Sequence, residues 1–249
     1  MEQPPSPGTK SVELGESIES ILRFTLRFHL DEPLPSFDLD LTRDFCLHLL
    51  EEDTDSTEKL ALYKLLARAL YECLTSEEQG LSVDKNSNLE KYKELFHGLG
   101  HDLVNMLQKV NFELHVQEPY FTQLKDGMKT VEGRCAVGDY MRICSGAFIL
   151  FNKCLLLEVQ DVRHYTSFSE MLRVEGLSKV LPGVESIEEG VRVYRNFYPK
   201  EKERMNGVVA IRVAKPADQP YAALAGVLSE LKSNGIKSLL DDYTGRNTM

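Results

Sequence analysis

The sequence lacks the marks of several protein classes. No apolar run approaches the roughly 20 residues that a membrane-spanning helix needs. The strongest runs, AFILF and CLLLEV, have the length of buried strands. The opening stretch MEQPPSPGTK has no basic region followed by an apolar core, so it does not read as a secretory signal. Its Pro, Ser and Gly suit a mobile tail over residues 1–15. There is no internal repeat. The five cysteines (Cys46, Cys73, Cys135, Cys144 and Cys154) are odd in number, widely spaced and free of any CxxC pair. That spacing points to reduced thiols in an intracellular protein, nuclear or cytoplasmic, not to a disulfide framework or a zinc finger.

Positive charge is also in short supply. The chain holds 29 Lys and Arg against 39 Asp and Glu, a net charge of −10, with a pI near 5.2. Such a balance excludes a bulk polycation that coats nucleic acid or an anionic membrane. The deficit is not uniform. Residues 1–110 hold 11 basic and 21 acidic residues, residues 111–216 hold 15 and 14, and residues 217–249 hold 3 and 4. The net charge therefore sits in the first 110 residues, which implies two units with different roles. The 249 residues, 42% hydrophobic and 27% charged, describe an ordinary globular protein with length for one large domain or two small ones.

Residues 16–110 read as an acidic helical region. Apolar residues recur at helical spacing over about 17–30, 40–52, 57–74 and 88–110, with Gly98 and Gly100 weakening the last helix. Four such helices suggest a small bundle. The period changes near 111, where NFELHV alternates as a strand does. A short helix follows Pro119 and closes at Gly127. Strands are expected at about 129–135, 139–145, 147–151, 154–163 and 207–213, with Asn152-Lys153 as a hairpin tip. Capping boxes at Ser167/Glu170 and Ser186/Glu189 open helices at about 168–175 and 187–197. Residues 216–249 read as a linker, a short helix at about 221–232 and a frayed tail.

The most informative stretch is EPYFTQLKDGMKTVEGRC. Alternate residues of a strand share a face, so Thr130, Glu132 and Arg134 point one way, with Lys129 at the strand's mouth. One short strand thus offers a cation, a carboxylate and a guanidinium. Arg134 has the fork geometry for a phosphate or carboxylate. Glu132 can accept from a base edge, orient Arg134 or act as an acid/base. The spacing is equally consistent with a surface salt-bridge ladder.

GMKTVEGR has the form G-x-K-x-x-E-x-R at Gly127, Lys129, Glu132 and Arg134, after a helix that carries Pro119-Tyr120. It resembles the signature of the ASCH (activating signal cointegrator 1 homology) domain, a relative of the PUA-like β-barrels. The strand LLLEVQDVRHYTSF, the VLPG turn, the helix EEGVRVYRNFYP and the strand GVVAIRV are similar to longer members, so the likeness covers about 112–214. It implies a PUA-like β-barrel with flanking helices over 111–215, which together with the N-terminal helical bundle read from periodicity makes an α+β chain. It also implies a cleft for RNA or a nucleotide-like ligand, in an RNA-processing or transcription co-regulator setting, lined by Tyr120, Lys129, Glu132 and Arg134. Some small bacterial members deacetylate N4-acetylcytidine through a Lys, a Thr three residues on and a later Glu. Lys129 matches that Lys, Glu132 stands in place of the Thr, and Gly183 falls at the third place. Amidohydrolysis through Lys129 and Glu132 is therefore the second expectation, and a ribonuclease is neither supported nor excluded.

Residues 192–204 interleave Arg192, Arg195, Lys200, Lys202 and Arg204 with Tyr194, Phe197 and Tyr198. Cations for phosphates and rings for bases suit single-stranded nucleic acid, and Arg192, Arg195 and Tyr198 join the candidate ligand residues. An amphipathic helix with Val191, Tyr194 and Tyr198 in the core is the other reading. His97 and His101 share a helix side with Glu94 but have no third ligand, and His164 ends a long strand. Both are expected to be structural, and no metal or cofactor is expected. Cys135 is expected in the core. EEDTDSTE lacks the spacing of a calcium loop. The acidic region 16–110 is a candidate docking surface for a protein partner, and no membrane contact is expected.

Overall fold

A computed structural model describes residues 13–31, 39–51, 61–76, 92 and 95–247. The acidic stretch at 52–58, Glu94 and the loop at 81–88 lie outside the described residues. The chain divides into two compact units, one containing 109–217 and the other 13–108 with 218–249. No described helix is long and apolar enough to cross a membrane. All five cysteines are free, and four of them are buried.

The helical unit contains α1 (Leu14–Asp31), α2 (Arg43–Leu50) and α3 (Leu62–Ser76). Ile18, Ile21, Leu22 and Leu26 of α1 and Leu66 and Leu70 of α3 are fully buried, as their helical spacing predicts. The weak middle of the fourth expected helix is a one-turn π-helix, Phe96–Gly100, which passes into α4 (His101–Gln108). A Cβ at Gly100 would meet Leu74 Cδ2 at 2.4 Å, so the bare glycine is what lets this turn pack on α3.

The C-terminal region contains the short helix expected at about 221–232, but a second helix stands where a frayed tail was expected. Pro220–Asn247 holds two helices that meet at a kink at Lys232, whose backbone is non-helical (φ 56°). The kink breaks the helical phase, so the apolar residues beyond it do not extend the stripe before it. Leu224, Leu228, Ile236 and Leu239 are nevertheless all buried.

The second unit is α+β. Its strands are β1 (Val110–Leu114), β2 (Val131–Cys135), β3 (Phe148–Phe151), β4 (Leu155–Tyr165) and β5 (Val208–Ala214). They form one mixed sheet in the order β1-β3-β4-β5-β2, with β1 parallel to β3 and the other pairs antiparallel. The expected barrel closure is absent: β1 and β2 are the outer strands and share no ladder. The β3–β4 hairpin turns at Asn152 and Lys153, both at positive φ (48° and 58°), as expected. Asn152 also exchanges two hydrogen bonds with the Val116 backbone (2.8 and 2.9 Å), which ties the tip to the end of β1.

The helices of this unit are α5 (Tyr120–Lys125), α6 (Phe168–Glu175), α7 (Leu177–Val180), α8 (Ile187–Arg195) and α9 (Lys200–Asn206). Both capping boxes form, with Ser167 and Ser186 Oγ each accepting from the expected glutamate N–H at 3.2 Å. Residues 138–142 are a 3-10 turn in place of the expected strand. Gly138 adopts φ 55°, outside the strand region, and the turn that follows buries Tyr140.

One sheet face packs on these helices. Val131 and Cys135 join Phe168, Met171, Leu172, Tyr194 and Tyr198 in an apolar cluster. Phe168 stacks on Tyr194 at 4.0 Å and on Tyr198 at 5.5 Å. Gly133 lies under this stack, and a Cβ there would meet Tyr194 Oη at 2.4 Å and Met171 Cε at 2.6 Å. Gly133→Ala is therefore expected to overpack the seam and to cost about 1–3 kcal/mol. Urea denaturation of the variant and the parent measures that loss, and equal midpoints would show that the seam relaxes freely.

Candidate functional site

Local chain chemistry brings the motif together. Helix α5 ends in a left-handed turn at Gly127 (φ 75°), and Gly127 N–H donates to Leu124 O at 3.1 Å. The chain then folds back, with Lys129 N–H on Gln123 O at 2.9 Å and Thr130 N–H on Lys179 O at 3.0 Å. Strand β2 starts at once, and its pairing with β5 sets Val131 opposite Arg212 and Arg134 opposite Val209.

Lys129, Glu132 and Arg134 converge and are buried, with 2%, 7% and 5% exposure. Lys129 Nζ lies 3.1 Å from Glu132 Oε2 and donates to Val131 O at 2.8 Å and Val180 O at 2.5 Å. Arg134 Nε lies 2.9 Å from Glu132 Oε1, and Arg134 Nη2 donates to His115 O at 2.8 Å. Tyr120 stands 5.9 Å from Lys129 Nζ and Tyr140 stands 5.7 Å from the Arg134 guanidinium, each measured from the ring centroid. The surface-ladder reading is thereby overturned. Lys129 does not stand at an open mouth, because the turn after Gly127 folds it inward onto two carbonyls.

Burial of three charges is tolerated because each has partners. Burial alone would raise the Glu132 carboxyl, yet Lys129 and Arg134 outweigh it and hold the group below its ordinary value. Burial lowers the Lys129 ammonium, and the attraction of Glu132 only partly offsets that. Its three acceptors nonetheless need three N–H donors, which keeps Lys129 an ammonium in this arrangement. Burial opposes the Arg134 charge, but Glu132 raises its pKa overall. The phenols of Tyr120, Tyr140, Tyr194 and Tyr198 are all raised, first by burial, and each feels Glu132. The cluster is one formal positive charge in a ring of phenols.

The remaining expected residues divide. Tyr120 is half-buried at the cluster. Tyr198, just past α8, belongs to the apolar cluster with Tyr194 and has its phenol near Arg134, which agrees with the reading that puts both rings in the core. Arg195 is committed elsewhere: it pairs with Glu203, whose Oε1 accepts from Phe168 N–H at 2.7 Å. Arg192 is exposed on α8. His97 and His101 stack on each other at 6.4 Å, and His164 is exposed. Cys135 is buried, and burial pushes its thiol up to about 11. Tyr140 and the carbonyls of His115 and Val180 were not singled out. No local pattern marks a carbonyl as an acceptor, and Tyr140 was masked by the strand expected at 139–145.

A family model for the ASCH domain matches residues 114–217. A crystal structure of hypothetical protein PH0355 is 46% identical, with a TM-score of 0.41, covering 42% of this chain and 97% of that one. A solution NMR structure of protein PF0455 from Pyrococcus furiosus is 44% identical, with a TM-score of 0.39, covering 43% and 97%. No curated protein matches the chain.

The buried carboxylate makes a pH prediction. Because the folded-state pKa of Glu132 is depressed, its contribution is present above the ordinary carboxyl value and is lost as pH falls through the folded one. Glu132→Gln leaves two buried cations without their anion, at a cost of about 3–5 kcal/mol at pH 7. Urea denaturation of variant and parent at pH 7 and at acid pH is expected to show the gap narrowing toward acid. A gap independent of pH would mean that Glu132 does not carry the charge.

Proposed function

Because the chain belongs to the ASCH family through residues 114–217, we propose that this domain binds single-stranded RNA or a nucleotide-like ligand beside Lys129, Glu132 and Arg134. The observation that supports this reading is the buried cluster of net charge +1 with the half-buried Tyr120 ring beside Lys129. Lys129 and Arg134 are bound to carbonyls and to Glu132, so they act through their field and by shaping the floor, not as open forks. Stacking on an aromatic ring is what a base requires. Exposed Arg192, Lys200 and Arg204 on α8 and α9 supply cations for the phosphates. The five free thiols fit an intracellular setting, where an RNA-processing or transcription co-regulator would work.

Amide hydrolysis on a modified nucleoside is the second reading, favoured by the lowered Lys129. Its difficulty is chemical: a nucleophile or base needs a lone pair, and all three Lys129 N–H groups already have acceptors. Incubation with N4-acetylcytidine followed by chromatography decides it. Release of cytidine no faster than from Lys129→Ala ends this reading.

The binding reading is tested with fluorescein-labelled single-stranded RNA and fluorescence anisotropy on the full chain. Affinity is expected to fall as salt rises from about 50 to about 200 mM. Tyr120→Ala is expected to weaken binding about tenfold while the protein stays folded, and Tyr120→Phe to retain it. No binding to any tested RNA at the lowest salt overturns the proposal.

A further inference from the structure

A second charged cluster lies outside the motif. Glu175, the last residue of α6, has a fully buried side chain. Its Oε1 accepts from Tyr165 Oη at 2.5 Å, and its Oε2 accepts from Arg212 Nε at 2.7 Å. Arg163 Nη1 stands 3.8 Å from the same carboxylate, and Arg163 Nε donates to Asp161 Oδ2 at 2.7 Å. Both guanidiniums keep an outer edge in water, with side chains 46% (Arg163) and 34% (Arg212) exposed.

Register separates this cluster from the motif. Arg212 pairs with Val131 and with Asp161, while Ala210 pairs with Gly133 and with Arg163. Paired residues share a face, and neighbours along a strand alternate. Asp161, Arg163, Tyr165 and Arg212 therefore share the face of Val131, and Glu132 and Arg134 take the other.

We propose that Arg163 and Arg212, set side by side by Glu175, form a phosphate-binding site on this second face. Arg212 and the Tyr165 hydroxyl already satisfy the buried carboxylate, so Arg163, held by Asp161 at 2.7 Å, is not required for that burial, and the two arginines balance the two carboxylates. Each guanidinium is anchored through Nε, Arg163 to Asp161 and Arg212 to Glu175, which fixes its plane while part of the side chain stays exposed. Planar forked donors match the oxygens of a phosphate, and prior anchoring lowers the entropy lost on binding. Asp161 orients Arg163 and, being itself half-exposed, keeps the affinity modest. The ligand chemistry is a phosphate oxyanion, either free inorganic phosphate or a nucleic-acid backbone. The inference does not depend on the proposed RNA site.

The test uses the full chain labelled with 15N, with the arginine Nε–Hε signals followed during addition of sodium phosphate against sodium chloride at equal ionic strength. Saturable shifts of the Arg163 and Arg212 signals with phosphate alone are expected. Arg163→Gln leaves Arg212 and Tyr165 on Glu175, so it is expected to fold and to weaken phosphate binding at least tenfold. Arg212→Lys keeps a cation on Glu175 but removes the fork, with the same expected loss. Shifts no larger than with chloride, or unchanged phosphate affinity in folded Arg163→Gln, overturn the proposal. RNA anisotropy separates the sources. Weaker RNA binding in Arg163→Gln assigns the site to a backbone phosphate, and unchanged RNA binding with lost phosphate binding assigns it to the free ion. Failure of RNA binding altogether touches only the Tyr120 reading, because the phosphate titration needs no RNA.

Discussion

The ASCH domain depends on one carboxylate held between two buried cations. Glu132 gives one oxygen to Lys129 and the other to Arg134. An isolated buried charge would cost several kcal/mol and would titrate away. Here the two cations reach beyond Glu132 to three carbonyls in different parts of the domain. Lys129 binds Val131 O within β2 and Val180 O at the end of α7, and Arg134 binds His115 O just past β1. The ion cluster is thus a joint between a strand, a helix end and the opposite edge of the sheet.

That joint bears on the open form of the sheet. Strands β1 and β2 are its two outer members and do not pair. The Arg134 side chain, through a single hydrogen bond to His115 O, joins them where a barrel would have a ladder. A side chain can span a gap that backbone hydrogen bonds cannot, since ladder strands must come within about 4.8 Å of each other. Pairing with β5 fixes the alternation of β2, and alternation divides the labour. Val131, Gly133 and Cys135 face the Phe168–Tyr194 stack, while Glu132 and Arg134 take the charged side.

Charge follows the same partition. Residues 109–217 hold 16 Lys and Arg against 14 Asp and Glu, so the acidity of the whole chain belongs to the helical unit. Within the ASCH domain many charges are already committed: Arg195 to Glu203, Arg212 to Glu175, Lys129 and Arg134 to Glu132. What remains for a ligand is Tyr120, the exposed cations of α8 and α9 and the solvent-facing parts of Arg163 and Arg212. Net charge alone is therefore a poor guide to what this domain can bind, and the count of uncommitted donors is a better one.

Much of this was legible in the residues themselves. The G-x-K-x-x-E-x-R spacing, the two serine caps, the Asn152-Lys153 turn and the apolar stripes of α1 and α3 depend on neighbours a few positions away, and short-range sterics and hydrogen bonding decide them. Burial of the motif was not legible, because a charged strand on the surface and one under a helix have the same alternation. The Val180 and His115 carbonyls that admit Lys129 and Arg134 to the interior lie 51 and 19 residues away from them. The same holds for the 3-10 turn at Tyr140, for the second helix beyond Lys232 and for the sheet that stays open. Each is settled by what packs against it, so sequence alone determined the motif and its elements, and only the tertiary structure decided which charges are buried and which are left to meet a ligand.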